Sequence, residues 1–351
     1  MLHTFRIHRR FRDALEGVLA TTNRALDVGQ ISHIDPKSLQ RIESPPQRAG
    51  SKPLVVLEAP GGQRYIFKEC LDTSLAAAEE AAYRLRRLAG RPTVPARCVT
   101  LDVGNGERPG LLKPYVEFDL SAELSADTTT WSEHQRAVML LDHAWEWFLD
   151  NLDTNTSQFA LLGVHDLPVN IDWDRSFFSK GRSELTRFAK YRPTLPNART
   201  FLYADYVAGK TKLPLWLLSA EARRIRRLPK AEVVRILEQY ASVAFADEGE
   251  REQFVQRMLI RRHGIEREVG HFLRELWAER RQLGTAPEGV QEWLRQRSLL
   301  LWADWQLALN AVSRGPVGTA ARKALCFLRG RRSRTAQPPE RSSASVASSS
   351  G

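Results

Sequence analysis

Hydrophobic and polar positions follow two different rhythms along this chain, and the change between them divides it. In residues 1–28, Leu15, Val18 and Leu19 fall at helical spacing among basic positions, which predicts one amphipathic helix. Residues 29–50 carry Pro36, Pro45, Pro46 and Gly50 and read as a connecting loop. Leu54–Leu57 is then a short apolar run, Pro60-Gly61-Gly62-Gln63 a turn, and Tyr65–Lys68 a second run: a β-hairpin. The Ala-rich stretch Leu75–Leu88 predicts a helix that Gly90 and Pro92 stop. Strand-like runs return at Ala96–Leu101 and Gly110–Val116, separated by the turn Gly104-Asn105-Gly106. Ser132–Leu149 is helical again, and the short apolar runs Phe159–Val164 and Val169–Ile171 flank a turn at His165-Asp166. Beyond about residue 213 the period is 3.6 almost throughout, over Ala231–Phe245, Glu252–Leu283 and Val290–Ser313.

That succession predicts an α+β protein with a small β-rich N-lobe and a larger, mainly helical C-lobe. The expected boundaries are 1–46 for the N-terminal helix and linker, 47–118 for the N-lobe, 119–328 for the C-lobe and 329–351 for a tail. The tail is Ser-rich, carries Pro338 and Pro339 and has little to bury, so disorder is expected there.

Composition adds exclusions. With 351 residues, 42% of them hydrophobic, the chain can bury a full core. The longest apolar candidate, Leu299–Val312, is interrupted by Asp304, Gln306 and Asn310, so no membrane-spanning helix is expected. The first twenty residues mix Arg6, Arg9, Arg10, Arg12 and Asp13 with apolar positions and do not read as a secretory signal. Cys70, Cys98 and Cys326 are dispersed and lack metal-ligand spacing, which fits a reduced, cytoplasmic compartment. The net charge of +11 comes mostly from Arg, and +4 of it lies in the tail, where five Arg face one Glu. Nucleic acid is therefore compatible with the charge but not required by it.

Candidate chemistry sits in four places whose order is informative. Gly50-Ser51-Lys52 precedes the first hairpin strand, and small residues there let backbone N–H groups approach phosphate. Lys68 closes the second strand, where apolar neighbours hold its point charge for phosphate groups. Glu79 on the following helix can pair with Lys68 and fix it. Asn151-Leu152-Asp153 through Gln158 comes before one apolar run, and Ile171-Asp172-Trp173-Asp174 after the next. Taken singly, each has an ordinary reading: a surface Lys, a solvated helix face, a turn-forming Asp. Together they suit phosphoryl transfer, which asks for positioned charge more than for covalent help. In that reading Lys68 holds nucleotide phosphates and Asp153 takes the acceptor proton. Asp172 binds Mg²⁺, helped by the oxygen of Gln158.

These segments resemble the HipA-like and phosphatidylinositol 3- and 4-kinase-like branch of the protein-kinase-like superfamily. Gly50–Leu54 followed by Gly62–Lys68 is similar to the phosphate loop and strand-borne Lys of HipA-type members. Glu79-Glu80-Ala81-Ala82-Tyr83 resembles the Glu-x-Ala-Ala-Tyr helix of the lipid-kinase-like members. Asn151-x-Asp153-x-x-x-x-Gln158 looks like the catalytic loop, and Ile171-Asp172 followed by Phe177 like the metal-binding segment. The resemblance covers residues 47–180 and implies a bilobal kinase-like fold with ATP and Mg²⁺ between the lobes. It places Tyr115 and Val116 at an adenine-binding hinge. It also implies transfer of the γ-phosphate to a hydroxyl acceptor, with protein Ser or Thr ahead of a lipid head group or a small molecule. The pattern departs in four places: Gln158 stands for an Asn, Trp173-Asp174 follows the metal Asp where a Gly is usual, the loop from Asp153 to Gln158 lacks a His, Lys or Arg, and only 11 positions separate Lys68 from Glu79. Asp150 and Asn155 offer a rival register of the same spacing. Asp153 is preferred because Gln158 runs directly into the strand Phe159–Leu162.

The alternative is a pseudokinase, or a basic helical module that binds nucleic acid or a partner without catalysis. Its best sequence support is the Arg223–Arg227 helix with Arg261-Arg262-His263. The helical Trp145, Trp147, Trp277, Trp293, Trp302 and Trp305 are expected in the core.

Overall fold

The computed structural model of the chain describes residues 2–27, 31, 34–43, 54–70, 72–102, 104, 106–116, 124–125, 127–151, 158–162, 166–177 and 198–282. All of them belong to one compact unit, residues 1–299. The architecture is α+β, with a small five-stranded antiparallel sheet, a two-stranded hairpin and a mostly helical remainder.

The chain opens with α1 (Leu2–Leu26), followed by β1 (Gln40–Glu43), β2 (Leu54–Glu58) and β3 (Arg64–Glu69). The hairpin forms where the alternation places it, with Val55 opposite Phe67 and Leu57 opposite Tyr65. α2 (Thr73–Leu88) follows; its N-cap Asp72 accepts from the Ser74 N–H at 2.8 Å. Gly90, at φ 70°, takes the left-handed conformation that ends the helix. β4 (Arg97–Asp102) and β5 (Glu107–Pro114) complete a five-stranded sheet of order β1-β2-β3-β5-β4. Gly110 in β5 lies under the Phe67 ring, where a Cβ would come within 2.4 Å of the ring carbons. A side chain there would force the two central strands apart.

The segment 29–50, expected as a loop, contains β1, paired antiparallel with β2. The sheet therefore begins before residue 47. β1 is a four-residue edge strand whose Ile42 is exposed, so its conformation comes from pairing with β2 and not from any alternation of its own.

α3 (Glu133–Leu149) runs through the middle of the second lobe and is buried continuously from Ala137. A capping box starts it: the Ser132 Oγ accepts from the Gln135 N–H at 3.1 Å, and Gln135 Oε1 accepts from the Ser132 N–H at 2.8 Å. The hairpin β6 (Phe159–Leu162) and β7 (Leu167–Asn170) lies beside it. Then come α4 (Ala198–Val207), α5 (Trp216–Arg227), α6 (Lys230–Ala244) and α7 (Glu248–Gln282). Trp145 and Trp147 join the large apolar core with Phe148, Phe177, Tyr240 and Phe254, as expected of helical Trp. Trp277 is half-buried, with the Arg281 guanidinium 4.9 Å from its ring centroid. Trp293, Trp302, Trp305, the helix expected at Val290–Ser313 and the tail lie outside the described residues.

Helix α1 spans both lobes. Leu15 and Leu19 pack with Val138 and Leu141 of α3, while Leu26 meets Val94 and Val169. Among the described residues no helix is long and apolar enough to cross a membrane.

The Arg-rich helical segments turn inward to the protein's own carbonyls and carboxylates. Arg261 on α7 donates to the carbonyls of Trp147 at 2.6 Å and Phe148 at 3.1 Å, capping the C-terminus of α3. Burial pulls its pKa down to about 10, against the raising effect of Asp150 and Glu268. Arg262 caps α5 in the same way, donating to the Ile225 carbonyl at 3.1 Å and to that of Arg226 at 2.8 Å. Arg223 and Arg226 pair with Glu266 at 3.9 and 3.1 Å. The stripe that supported a nucleic-acid surface is largely consumed by internal pairing.

Candidate functional site

The site follows from the parity of two neighbouring strands. On β3, Tyr65 and Phe67 point to one side of the sheet, into a cluster with Val55, Leu57 and Leu112. Ile66 and Lys68 therefore point to the other. On β5 the same parity puts Leu112 with that cluster and sends Leu111 and Lys113 to the opposite face, where Leu111 packs on Ala76 of α2. Because Lys68 lies opposite Leu111 and Ile66 opposite Lys113, the two lysines are diagonal neighbours on one face. Two ammonium groups so placed need carboxylates.

α2 supplies the first. Glu79, almost wholly buried, meets Lys113 in a close ion pair and lies 3.7 Å from Lys68 Nζ. The β6–β7 hairpin supplies the others. Its register puts Phe159 opposite Asn170, and the Gln158 carbonyl accepts from the Ile171 N–H at 2.9 Å. Gln158 and Asp172 thus emerge from the same end of the hairpin. Lys68 Nζ donates to Asp172 Oδ1 at 2.8 Å and lies 3.3 Å from Asp174 Oδ2. Lys113 Nζ donates to the Ile171 carbonyl at 2.6 Å. Two cations and three carboxylates therefore meet where the sheet faces the helical lobe, leaving an excess of one negative charge.

The Asp172–Phe177 segment is held from beneath. Asn170 Oδ1 accepts from the Asp172 N–H at 2.9 Å, an Asx turn that fixes the first carboxylate. Trp173 turns into the core, its indole N–H donating to the Asn170 carbonyl at 3.2 Å and the Arg86 guanidinium stacked 4.4 Å from its ring centroid. Arg86 is in turn fixed by Asp142 at 2.8 Å. Phe177 adopts φ 59°, uncommon for a bulky residue. Its N–H donates to the Leu149 carbonyl at 2.6 Å, and its ring packs 4.6 Å from Tyr240 and 5.4 Å from Phe254. With Trp173 and Phe177 anchored, Asp172 and Asp174 are left facing Lys68. Trp173 is thus a core anchor, and Asp174 a member of the site.

The charges shift one another. Burial pulls the Lys68 pKa down, but Glu79, Asp172 and Asp174 outweigh it and hold the ammonium charged well beyond the usual range. Burial pushes the Glu79 carboxyl above its ordinary value, against the lowering influence of Lys113 and Lys68. A buried carboxyl between lysines, beside a more open Asp172 whose side chain is 29% exposed, is the kind of arrangement found at working sites.

The other expected site residues fall as follows. Tyr115 follows β5 directly, its N–H donating to the Arg64 carbonyl at 2.9 Å. Val116 packs against the buried cluster of Leu26, Val94 and Val169, which Leu162 and Ile171 also border. Asp153, the expected base, and Gly50, Ser51 and Lys52 lie outside the described residues. Asp150, the rival to Asp153, is the left-handed C-cap of α3 at φ 55° and lies 3.5 Å from Arg261. Among the described residues no group of three His, Cys, Asp or Glu is placed to hold a metal by itself. The oxygen donors of Asp172 and Asp174, with the amide of Gln158, are chemically suited to Mg²⁺, which takes hard oxygen ligands and leaves positions for phosphate and water.

Lys113, Asp174 and Asn170 were not singled out by the sequence as site residues. A signal existed for Lys113: it is a lone charge in the run Leu111-Leu112-Lys113-Pro114, on the same strand face as Lys68 once the hairpin register is known.

No family model matches the chain, and no curated protein matches it. Among solved structures it is similar to the Helicobacter pylori proinflammatory kinase CtkA, at 13% identity and a TM-score of 0.45, over 66% of this chain and 96% of that one. It is similar to a Golgi casein kinase solved with Mn and ADP bound, at 12% identity and a TM-score of 0.37, over 73% and 76%. It is also similar to HipA of Shewanella oneidensis, solved with HipB and operator DNA, at 12% identity and a TM-score of 0.37, over 72% and 69%. These likenesses are of shape alone.

Proposed function

We propose that this chain is an ATP-dependent, kinase-like phosphotransferase acting on a hydroxyl acceptor in the cytoplasm, with a protein Ser or Thr ahead of a lipid head group or a small molecule. The observation that carries the reading is the convergence of Lys68 with Asp172, 104 positions later in the chain, in one charge cluster that also holds Lys113, Glu79 and Asp174. A fold gains little stability from clustering five buried or half-buried charges. Such a cluster is suited to a polyphosphate and its counter-ion.

In this reading Lys68 exchanges Asp172 and Asp174 for nucleotide phosphate oxygens. Glu79 holds the ammonium in place, and Tyr115 and Val116 border the adenine. Asp172, Asp174 and Gln158 would hold Mg²⁺, which supplies charge neutralisation on the phosphates. Gly50, Ser51 and Lys52 would close over the phosphates, and Asp153 would orient the acceptor hydroxyl and take its proton. The net positive charge of the chain favours arrival of an anionic nucleotide.

The test is thermal unfolding with ATP and Mg²⁺, then phosphate release or transfer, with Asp172→Ala as control. Ligand at about a hundred times its Kd stabilises by about 2.7 kcal/mol, which reads as a rise of several degrees in wild type and little in the variant. No nucleotide-dependent shift in wild type rejects the reading. A shift without turnover identifies the non-catalytic, pseudokinase form.

A further inference from the structure

Lys113 has a place in the site that the phosphate-binding reading does not use. Its side chain is only 11% exposed, its ammonium pairs closely with Glu79, and it donates to the Ile171 carbonyl at 2.6 Å. An ammonium has three donors, and here two of them point to two different elements. One is α2, the other the residue immediately before Asp172. Lys113 itself stands on β5, two positions before the Tyr115–Val116 passage between the lobes. Lys68, by contrast, has three carboxylates around it and no backbone partner in the metal-binding segment.

We propose that Lys113 is a positioning residue: it fastens the backbone at Ile171, and so the Asp172 and Asp174 carboxylates, to α2 through Glu79. The proposal rests on the reading that Asp172 and Asp174 hold the metal of a nucleotide complex. Glu79 is the carboxylate between both lysines, hydrogen-bonded to Lys113 and 3.7 Å from Lys68, so α2, the phosphate lysine and the metal-binding segment are set together. If α2 moves away, Lys113 loses the carboxylate that aims its ammonium at the Ile171 carbonyl. The metal ligands then loosen even while Lys68 keeps Asp172 as a partner. The role belongs to the geometry of an ammonium bridging a carboxylate and a carbonyl. A simple neutraliser of Glu79 would not need the second contact.

The experiment compares wild type, Lys113→Met, Lys113→Arg and Lys68→Met. A fluorescent ATP analogue is titrated in EDTA and again in Mg²⁺, and amide hydrogen exchange is followed over residues 171–177 in nucleotide-free protein. In Lys113→Met, affinity in EDTA is expected to stay within about threefold of wild type, while the gain on adding Mg²⁺ drops about tenfold or more. Exchange over 171–177 is expected to quicken. Lys113→Arg, which keeps charge and donors, should recover most of the Mg²⁺ gain, and Lys68→Met should instead lose affinity in EDTA. A Mg²⁺ gain in Lys113→Met equal to wild type overturns the proposal while leaving the proposed function standing. Equal losses in EDTA for both Met variants overturn it too, making Lys113 a second phosphate ligand. If wild type binds no nucleotide, the proposed function fails, and unchanged exchange in Lys113→Met would then remove the positioning role as well. Should Lys113→Met not fold, Lys113→Gln, which keeps one donor group, is read in the same way.

Discussion

Two buried glutamates in this molecule face buried cations, and they behave in opposite ways. Glu221 on α5 meets Arg91 through both carboxylate oxygens, accepts from the Trp145 indole at 2.7 Å and lies 3.5 Å from Arg224. Burial pushes its carboxyl up, but Arg91, Arg224 and the Trp145 N–H together bring it below the ordinary value. Glu79 is equally enclosed, yet burial wins there against Lys113 and Lys68. The difference is geometric. A guanidinium fork satisfies both oxygens of Glu221 at once, and with Glu16 beside it Arg91 closes a network tying α1, the end of α2 and α5 together. Glu79 shares point charges with Asp172 and Asp174, whose carboxylates compete for Lys68. One cluster is closed on itself; the other keeps a surplus of negative charge that a metal can take up.

The sharpest way to break this contrast is stability. Glu221→Gln leaves Arg91 with only the half-exposed Glu16 as carboxylate partner, and a loss of about 3 kcal/mol is expected in urea unfolding. A loss below about 1 kcal/mol would mean that the Arg91 network is not the firmer of the two.

Asp174→Asn removes one of the competing carboxylates. Stability is expected to change by less than about 1 kcal/mol, while the Mg²⁺-dependent part of nucleotide binding weakens about tenfold, or about 1.4 kcal/mol. Unchanged Mg²⁺ dependence, measured by nucleotide titration, would assign Asp174 to the fold alone.

The smallest effect is in the pH slopes. Glu221 has a depressed pKa, so its contribution is present above the ordinary glutamate value of 4.5 and is lost as pH falls through its folded value. Glu79 has a raised pKa, so its contribution is full below 4.5 and is lost as pH rises through its folded value. The stability difference between wild type and Glu221→Gln should therefore shrink toward acid. That between wild type and Glu79→Gln should shrink away from it. Slopes of the same sign in urea titrations at several pH values would erase the distinction.

Much of this was legible locally. The hairpin at Leu54–Lys68, the Ala-rich helix and the long helical period beyond residue 213 follow from spacing, because each rests on neighbours two, three or four positions away. Lys68, Glu79 and Asp172 were also picked out in order along the chain, and the structure brings all three together. What failed to show was whatever depended on a distant partner. β1 exists because β2 offers an edge. The Arg261-Arg262 pair looked like a basic surface because nothing near it in sequence shows the open helix ends of α3 and α5. Trp173-Asp174 looked like a departure from pattern because the Arg86 platform that anchors the Trp, and so turns the Asp onto Lys68, lies on another helix.

The sequence by itself determined which residues alternate, which helices form, and that a strand lysine precedes a helix glutamate and a later aspartate. Only the tertiary structure decided that Glu79 takes Lys113 as its close partner, 34 positions away, and that Lys113 reaches Ile171, 58 positions away. Periodicity fixes which face a side chain occupies. The strand order β2-β3-β5 and the β6–β7 register fix whom it meets, and those are set by burial of the whole core.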